Sequence, residues 1–426
     1  MIEEKEYLLR RKSFLKHLKN DSAALFFAAV PKVRSHDTNY PYRQESNFYY
    51  LSGFEEDSAA LLFVKSKEGS KSYLFVHKKD PDEELWNGKR LGVKKAKKRF
   101  LVDEVFSYDT LNQELKKLLG SKRHIYYDFK LDYSKVKLIK RYAKAVESFH
   151  NGAAYIEKMR LRKSAAEIAE IRKAIKITKK AHHRAMQRAK SLSFEYELQA
   201  EFEYIFKKEG AQSDAYTTIV ASGNNANTLH YISNRAKLDK ETLILIDAGC
   251  EYNCYASDIT RTIPASKRFS DAQRELYSLV LSVEKEIISM VRPAVLRSAL
   301  QKRAEELLCE GMLALGILKG ELDSLLESKA HKKYFPHGIG HWMGLDVHDQ
   351  APYKDEKGRE IPLQAGMVLT VEPGIYIDKN DKSVPKKYRG IAIRIEDDIL
   401  VTQDGYENLS KGIKKEIRDI ESLASL

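Results

Sequence analysis

The stretch "FPHGIGHWMGLDVHDQ" (335–350) brings together His337, His341 and His348, in a chain that has twelve histidines. In HExxH zinc sites two histidines four apart lie on one helical turn, with a glutamate between them as base. His337 and His341 have that spacing, but no Glu follows His337. Gly338, Gly340 and Gly344 also disfavour a helix. The stretch reads as a loop, so the partners of these imidazoles must come from elsewhere in the chain.

Acidic residues inside apolar strands supply them. In "LILIDAGCEYNCYASDITRT", Asp247 and Asp258 stand at the ends of two strand-like runs joined by a turn-like segment. A carboxylate there is costly unless a cation or hydrogen bonds hold it. "MVLTVEPGIYI" places Glu372 after an apolar strand, and "IAIRIEDDILVT" puts Arg394 and Glu396 on one face of an alternating strand. Collected, the set is Asp247, Asp258, His341, Glu372 and Glu396. Four negative charges are balanced by two divalent cations, which favours a dinuclear site able to act on a polar bond. Oxygen-rich ligation favours Mn²⁺ over Zn²⁺.

The elements that must position this set follow two patterns. Residues 22–130 alternate strand-like runs ("ALFFAAV", "SAALLFV", "SYLFVH", "HIYYDF") with helix-like ones, as in an α/β domain. Helical patterns at 164–190, 194–208, 270–291 and 297–315 alternate in pairs with strand-rich stretches, which predicts an α+β second domain. Ser164 with Glu167, and Ser270 with Gln273, have capping-box spacing. The domain boundary is placed at 155, giving domains 1–155 and 156–426. His182 and His183, adjacent on the first of these helices, read as surface residues.

The ordered motifs resemble the pita-bread metallopeptidases and, within them, the Xaa-Pro aminopeptidases (aminopeptidase P). "HDTNYPYRQESNFYYLSGF" (36–54) and "ELWNGKRLG" (84–92) are similar to the family's N-terminal domain. The resemblance implies an α+β fold, with a C-terminal pita-bread catalytic domain behind an N-terminal α/β domain of the creatinase/aminopeptidase P type. It implies release of the N-terminal residue from peptides with proline second. Asp258 and Glu396 would bridge two metals, His341 and Glu372 would complete one, and Asp247 would chelate the other. A hydroxide between the metals would attack, with Glu372 as general base and acid. His230, His337 and His348 would contact the substrate carbonyl and its oxyanion. Tyr376 and Arg394 would line the proline pocket, and Trp86 and Asp37 would line the entrance. Trp86 matches a residue that reaches a neighbouring subunit in relatives, implying a homo-dimer or homo-tetramer. Cys254 and Ser257 depart from the small residues usual beside the second Asp. Prolidase shares the metal site and is the alternative activity, and a non-catalytic pita-bread scaffold is a further one.

Composition narrows the remainder. Hydrophobic content of 43% and charged content of 32% fit an ordinary globular protein. The net charge of +13 is concentrated in residues 1–150, where 31 Lys and Arg face 21 Asp and Glu. Without a zinc-finger, RNP or KH signature this reads as a solvated surface, and nucleic-acid binding is not expected. The N-terminus lacks an apolar signal region, and "AALFFAAV" (23–30) is too short to span a bilayer and reads as a buried strand. Three cysteines form no disulfide framework, so a cytoplasmic protein is expected.

Overall fold

The computed structural model describes residues 2–425. Two compact units divide the chain between Arg160 and Leu161, whereas the sequence reading put the boundary at 155.

The N-terminal unit is built on a six-stranded sheet of β1 (Ser22–Phe27), β2 (Ala60–Lys65), β3 (Ser70–Val76), β4 (Glu104–Ser107), β5 (His124–Tyr127) and β6 (Ser148–Asn151). Its order is β4-β3-β2-β1-β5-β6. The pairs β1–β2 and β2–β3 are antiparallel; β3–β4, β1–β5 and β5–β6 are parallel. Every residue of β1 is buried, which explains its unbroken apolar run: helices cover both faces. Leu25 and Phe27 join one core with Leu111, Leu115 and Ile139. On the other face Phe26 meets Phe14, from the helix Glu4–His17.

In the C-terminal unit four long helices enclose one large core: α1 (Ala165–Arg188), α2 (Glu195–Lys208), α3 (Asp271–Met290) and α4 (Arg297–Ala314). Both expected capping boxes are formed, which fixes where α1 and α3 begin. The strands carry the chemistry. β7 (Ile219–Ser222), β8 (Leu243–Asp247) and β11 (Thr260–Pro264) form an antiparallel sheet with β8 in the middle. Between β8 and β11 the chain makes a separate hairpin of β9 (Cys250–Tyr252) and β10 (Tyr255–Ala256). Asn253 and Cys254 turn it with φ of 48° and 65°, the pattern of a type I′ turn, so Cys254 occupies a position that favours glycine. β12 (Val368–Val371) pairs with β15 (Asp397–Val401), and β13 (Gly374–Tyr376) with β14 (Ala392–Arg394).

Two sequence readings are corrected. "IAIRIEDDILVT" is not one alternating strand, because Ile395 and Glu396 separate β14 from β15, which belong to different sheets. His182 is buried, with Nε2 at 3.2 Å from the Ala248 carbonyl and its ring edge-on to Phe202. Burial pushes its imidazole down to about 3. It faces inward because α1 packs against α2 and β9.

Candidate metal centre

Asp247 ends β8 opposite Thr260 of β11. Asp258 precedes β11, and its backbone N–H donates to Asp398 Oδ2 at 3.1 Å. The two aspartates approach because residue 249 has no side chain: a Cβ there would lie 1.7 Å from the Ser257 carbonyl oxygen. Glu396 joins them through its own N–H, which donates to the Thr260 carbonyl at 3.1 Å. Thr260 Oγ1 donates to Glu396 Oε2 at 2.6 Å.

Beneath these lies Arg261, with a fully buried side chain and all its donors used. It bonds the carbonyls of Thr260, Glu396, Ile413 and Lys414 and the carboxylate of Asp397. The backbone of Glu396 is thereby tied to the C-terminal segment.

The histidine stretch is an irregular loop, as its glycines predict. It lies against the strand that leads into Glu372: Thr370 N donates to His341 O and Glu372 N to Ile339 O, both at 2.9 Å. His341 Nδ1–H donates to Trp342 O at 3.0 Å, and Nε2 faces Asp258 Oδ2 at 3.2 Å and Glu372 Oε1 at 3.8 Å. That bond sets the tautomer a metal ligand needs.

Ligand atoms of Asp247, Asp258 and Glu396 lie within 4.8 Å of one another, as do those of His341, Glu372 and Glu396. Asp258, His341 and His348 form a third such group, so His348 also comes within ligating range. The electrostatics suit cations. Burial raises Glu396 far above the usual carboxylate range, helped by Asp258 and Glu372. Burial also lifts Glu372 to about 7 and raises Asp247 despite Arg394. Burial alone would lower His341, but Asp258 and Glu372 outweigh it and hold the imidazole up at about 9. Divalent cations would let buried carboxylates that raise one another ionise together, and the oxygen-rich donor set fits them.

All five line a cavity of about 440 Å³, with His230, His337, His348, Arg394 and Tyr216. Ile219, Leu229, Ile232 and Val347 add apolar wall. Tyr216 was not foreseen. Its hydroxyl lies 2.5 Å from Asp247 Oδ1 and 2.6 Å from Asp258 Oδ1, shared between the two carboxylates. Nothing in the spacing of "DAYTTIV" marks it.

Arg394 is buried and runs a chain of donors. Nη2 bonds Asp247 Oδ2 at 2.6 Å, Nε bonds Thr260 Oγ1 at 3.1 Å, and Nη1 bonds the Tyr376 hydroxyl at 3.0 Å. Tyr376 donates to His337 Nε2 at 2.8 Å, and His337 Nδ1–H donates to the Gly338 carbonyl at 2.8 Å. Both His337 nitrogens are thus engaged within the protein, whereas His230 and His348 are exposed at the cavity. Tyr376 reaches this group through its hydroxyl and does not line the cavity. Trp86 and Asp37 lie in the N-terminal unit, Trp86 on the helix Pro81–Asn87 with 85% exposure and Asp37 exposed in a hairpin turn.

Fold, site and relatives together define a metal-dependent aminopeptidase, and prolidase is not favoured. The chain belongs to metallopeptidase family M24, whose model matches residues 169–403, and the aminopeptidase P N-terminal domain matches residues 7–126. Xaa-Pro aminopeptidase of Escherichia coli K12 is 40% identical over 99% of this chain and 98% of its own length. Human Xaa-Pro aminopeptidase 3 is 35% identical over 100% of this chain and 86% of its own. A solved structure of zinc-substituted E. coli aminopeptidase P in complex with product superposes with a TM-score of 0.96 at 40% identity. It covers 100% of this chain, which covers 98% of that one. Among the described residues no helix is long and apolar enough to cross a membrane.

Proposed function

We propose that this chain is an Xaa-Pro aminopeptidase, releasing the first residue of peptides with proline second. The convergence of Asp247, Asp258, His341, Glu372 and Glu396 donor atoms in one cavity carries the reading. These five would hold two divalent cations, Mn²⁺ by preference, with Asp258 and Glu396 shared between them. Such a pair polarises a carbonyl and lowers the pKa of water.

The protein's own groups supply the rest. Glu372, which faces the same cavity, takes a proton from the attacking water and returns it to the departing proline nitrogen. His230 and His348, exposed at the cavity, donate to the carbonyl oxygen as charge develops on it; one such donor is worth about 3–4 kcal/mol. The substrate amine takes the Asp247 side. Proline has no amide hydrogen and a fixed φ, so its site needs shape more than donors. His337 suits that task as a wall, with both nitrogens already bonded and Tyr376 and Arg394 bracing it.

The exposed Leu85 and Trp86 of the N-terminal domain support a homo-oligomer in which Trp86, with Asp37, borders a neighbour's entrance. Three buried thiols suit a reducing, cytoplasmic setting.

The test combines elemental analysis with assays on Xaa-Pro-Yaa, Xaa-Pro and Xaa-Ala-Yaa. Two cations per chain and cleavage of Xaa-Pro-Yaa before Xaa-Ala-Yaa are expected. Activity confined to the dipeptide, or one cation at full activity, would overturn the reading.

A further inference from the structure

The histidine loop also meets the first turns of α4. Gln301 Oε1 accepts the Ile339 N–H at 2.6 Å. One turn earlier, the Arg297 guanidinium bonds the Gly340 carbonyl and stacks 4.6 Å from the Tyr353 ring. Tyr353 in turn holds the Trp342 N–H through its hydroxyl at 3.4 Å. The loop is therefore held both by the Glu372 strand and by one helix face.

The Gln301 amide cannot turn over freely. Its Nε2 donates to Glu305 Oε1 at 2.8 Å, one turn further along α4, and a carboxylate accepts only from a donor. Glu305 is itself held by Lys332 Nζ at 2.5 Å. The order Lys332, Glu305, Gln301, Ile339 N–H leaves the glutamine oxygen one orientation, toward the loop. The Gln301–Glu305 pair is one a helix can form for itself, but the bonds to Ile339 and Gly340 leave the helix, and these two loop residues lead directly into His341.

We infer that Gln301 and Arg297 are positioning residues of the reaction: α4 sets the height at which His341 meets Asp258 and Glu372. Neither side chain lines the cavity. The inference rests on the reading of His341 as a metal ligand.

The test uses the full chain loaded with Mn²⁺. Gln301→Leu removes the acceptor at similar volume. Its Mn²⁺ affinity by titration calorimetry should weaken by about 10- to 100-fold, as for outer groups that orient metal ligands. At saturating Mn²⁺ kcat on an Xaa-Pro-Yaa tripeptide should fall by about 10- to 100-fold, with KM changed less than threefold. The paired exchange Gln301→Glu with Glu305→Gln keeps an acceptor for Ile339 N–H and swaps the donor one turn along. It should return both readouts to within about threefold of the parent. Gln301→Asn, which withdraws the acceptor by one methylene, should show an intermediate loss and serves if Gln301→Leu does not fold. Parental affinity and kcat in the Leu or Asn variant would overturn the inference, as would a paired variant as impaired as Gln301→Leu. His341→Ala separates the two levels. If it retains parental Mn²⁺ binding, the ligand reading fails and this inference with it; if it loses binding while Gln301→Leu does not, only the positioning role fails.

Discussion

Gly340 stands where the loop bearing His341 presses on the strand leading to Glu372. A Cβ there would lie 1.9 Å from the Thr370 carbonyl oxygen, whereas real Cβ contacts essentially never fall below 3.0 Å. Gly340→Ala must therefore drive loop and strand apart by about 1 Å, since a close-packed interior offers no slack. The wedge acts between His341 Nε2 and Glu372 Oε1, now 3.8 Å apart, and stretches the two 2.9 Å backbone bonds that join their segments. Overpacking of this kind costs about 1–3 kcal/mol. Metal–ligand bonds tolerate only about 0.2 Å, so residues separated by that extra distance cannot grip one ion equally well. The variant should fold with a Tm lowered by a few degrees, bind Mn²⁺ at least tenfold more weakly and lose about 10²-fold in kcat. Scanning calorimetry, Mn²⁺ titration and tripeptide hydrolysis read the three effects. Parental Mn²⁺ affinity and rate would refute the reasoning, because they would mean that the loop yields without moving His341.

Three further outcomes are expected. Arg394→Met strips Asp247 of its 2.6 Å ion pair and should destabilise the cation-stripped protein by about 3–5 kcal/mol, less when Mn²⁺ is added; a denaturant titration showing no loss would contradict this. Asp214 is raised to about 6 by burial and then by Glu203, so its folded pKa lies above its unfolded one. Its stabilising contribution is full below pH 4 and lost as pH rises through 6, so Asp214→Asn should gain about 1–3 kcal/mol at pH 7.5 and nothing at pH 4, and a pH-independent difference would refute it. Chelation should lower Tm along with activity, because the buried carboxylates then repel one another; an unchanged Tm after verified cation removal would count against the cluster as a metal site.

Two of the candidate ligands were legible as charges at the end of an apolar strand: Asp247 after "LILI", Glu372 after "VLTV". The loop was legible from its glycines, and the starts of α1 and α3 from their capping boxes. What escaped reading has ordinary residue types at unremarkable spacing. Tyr216, Arg297 and Gln301 act through hydrogen bonds to distant segments, and no local pattern encodes a partner far along the chain. Arg394 and Glu396 were placed on one strand face because periodicity registers side-chain alternation but not the break at Ile395. His182 was misjudged because helical spacing separates two faces without saying which turns inward. The assignments of Trp86 and Asp37 came from resemblance and not from their own chemistry.

Arg261 couples the segment around Ile413 and Lys414 to the backbone of a candidate ligand. By fastening Ile413 and Lys414 to the same guanidinium that carries the Glu396 carbonyl, it makes the last stretch of polypeptide a keystone under the metal cluster. A nick or deletion upstream of Ile413 would loosen an acidic ligand that the missing residues never touch with their own side chains.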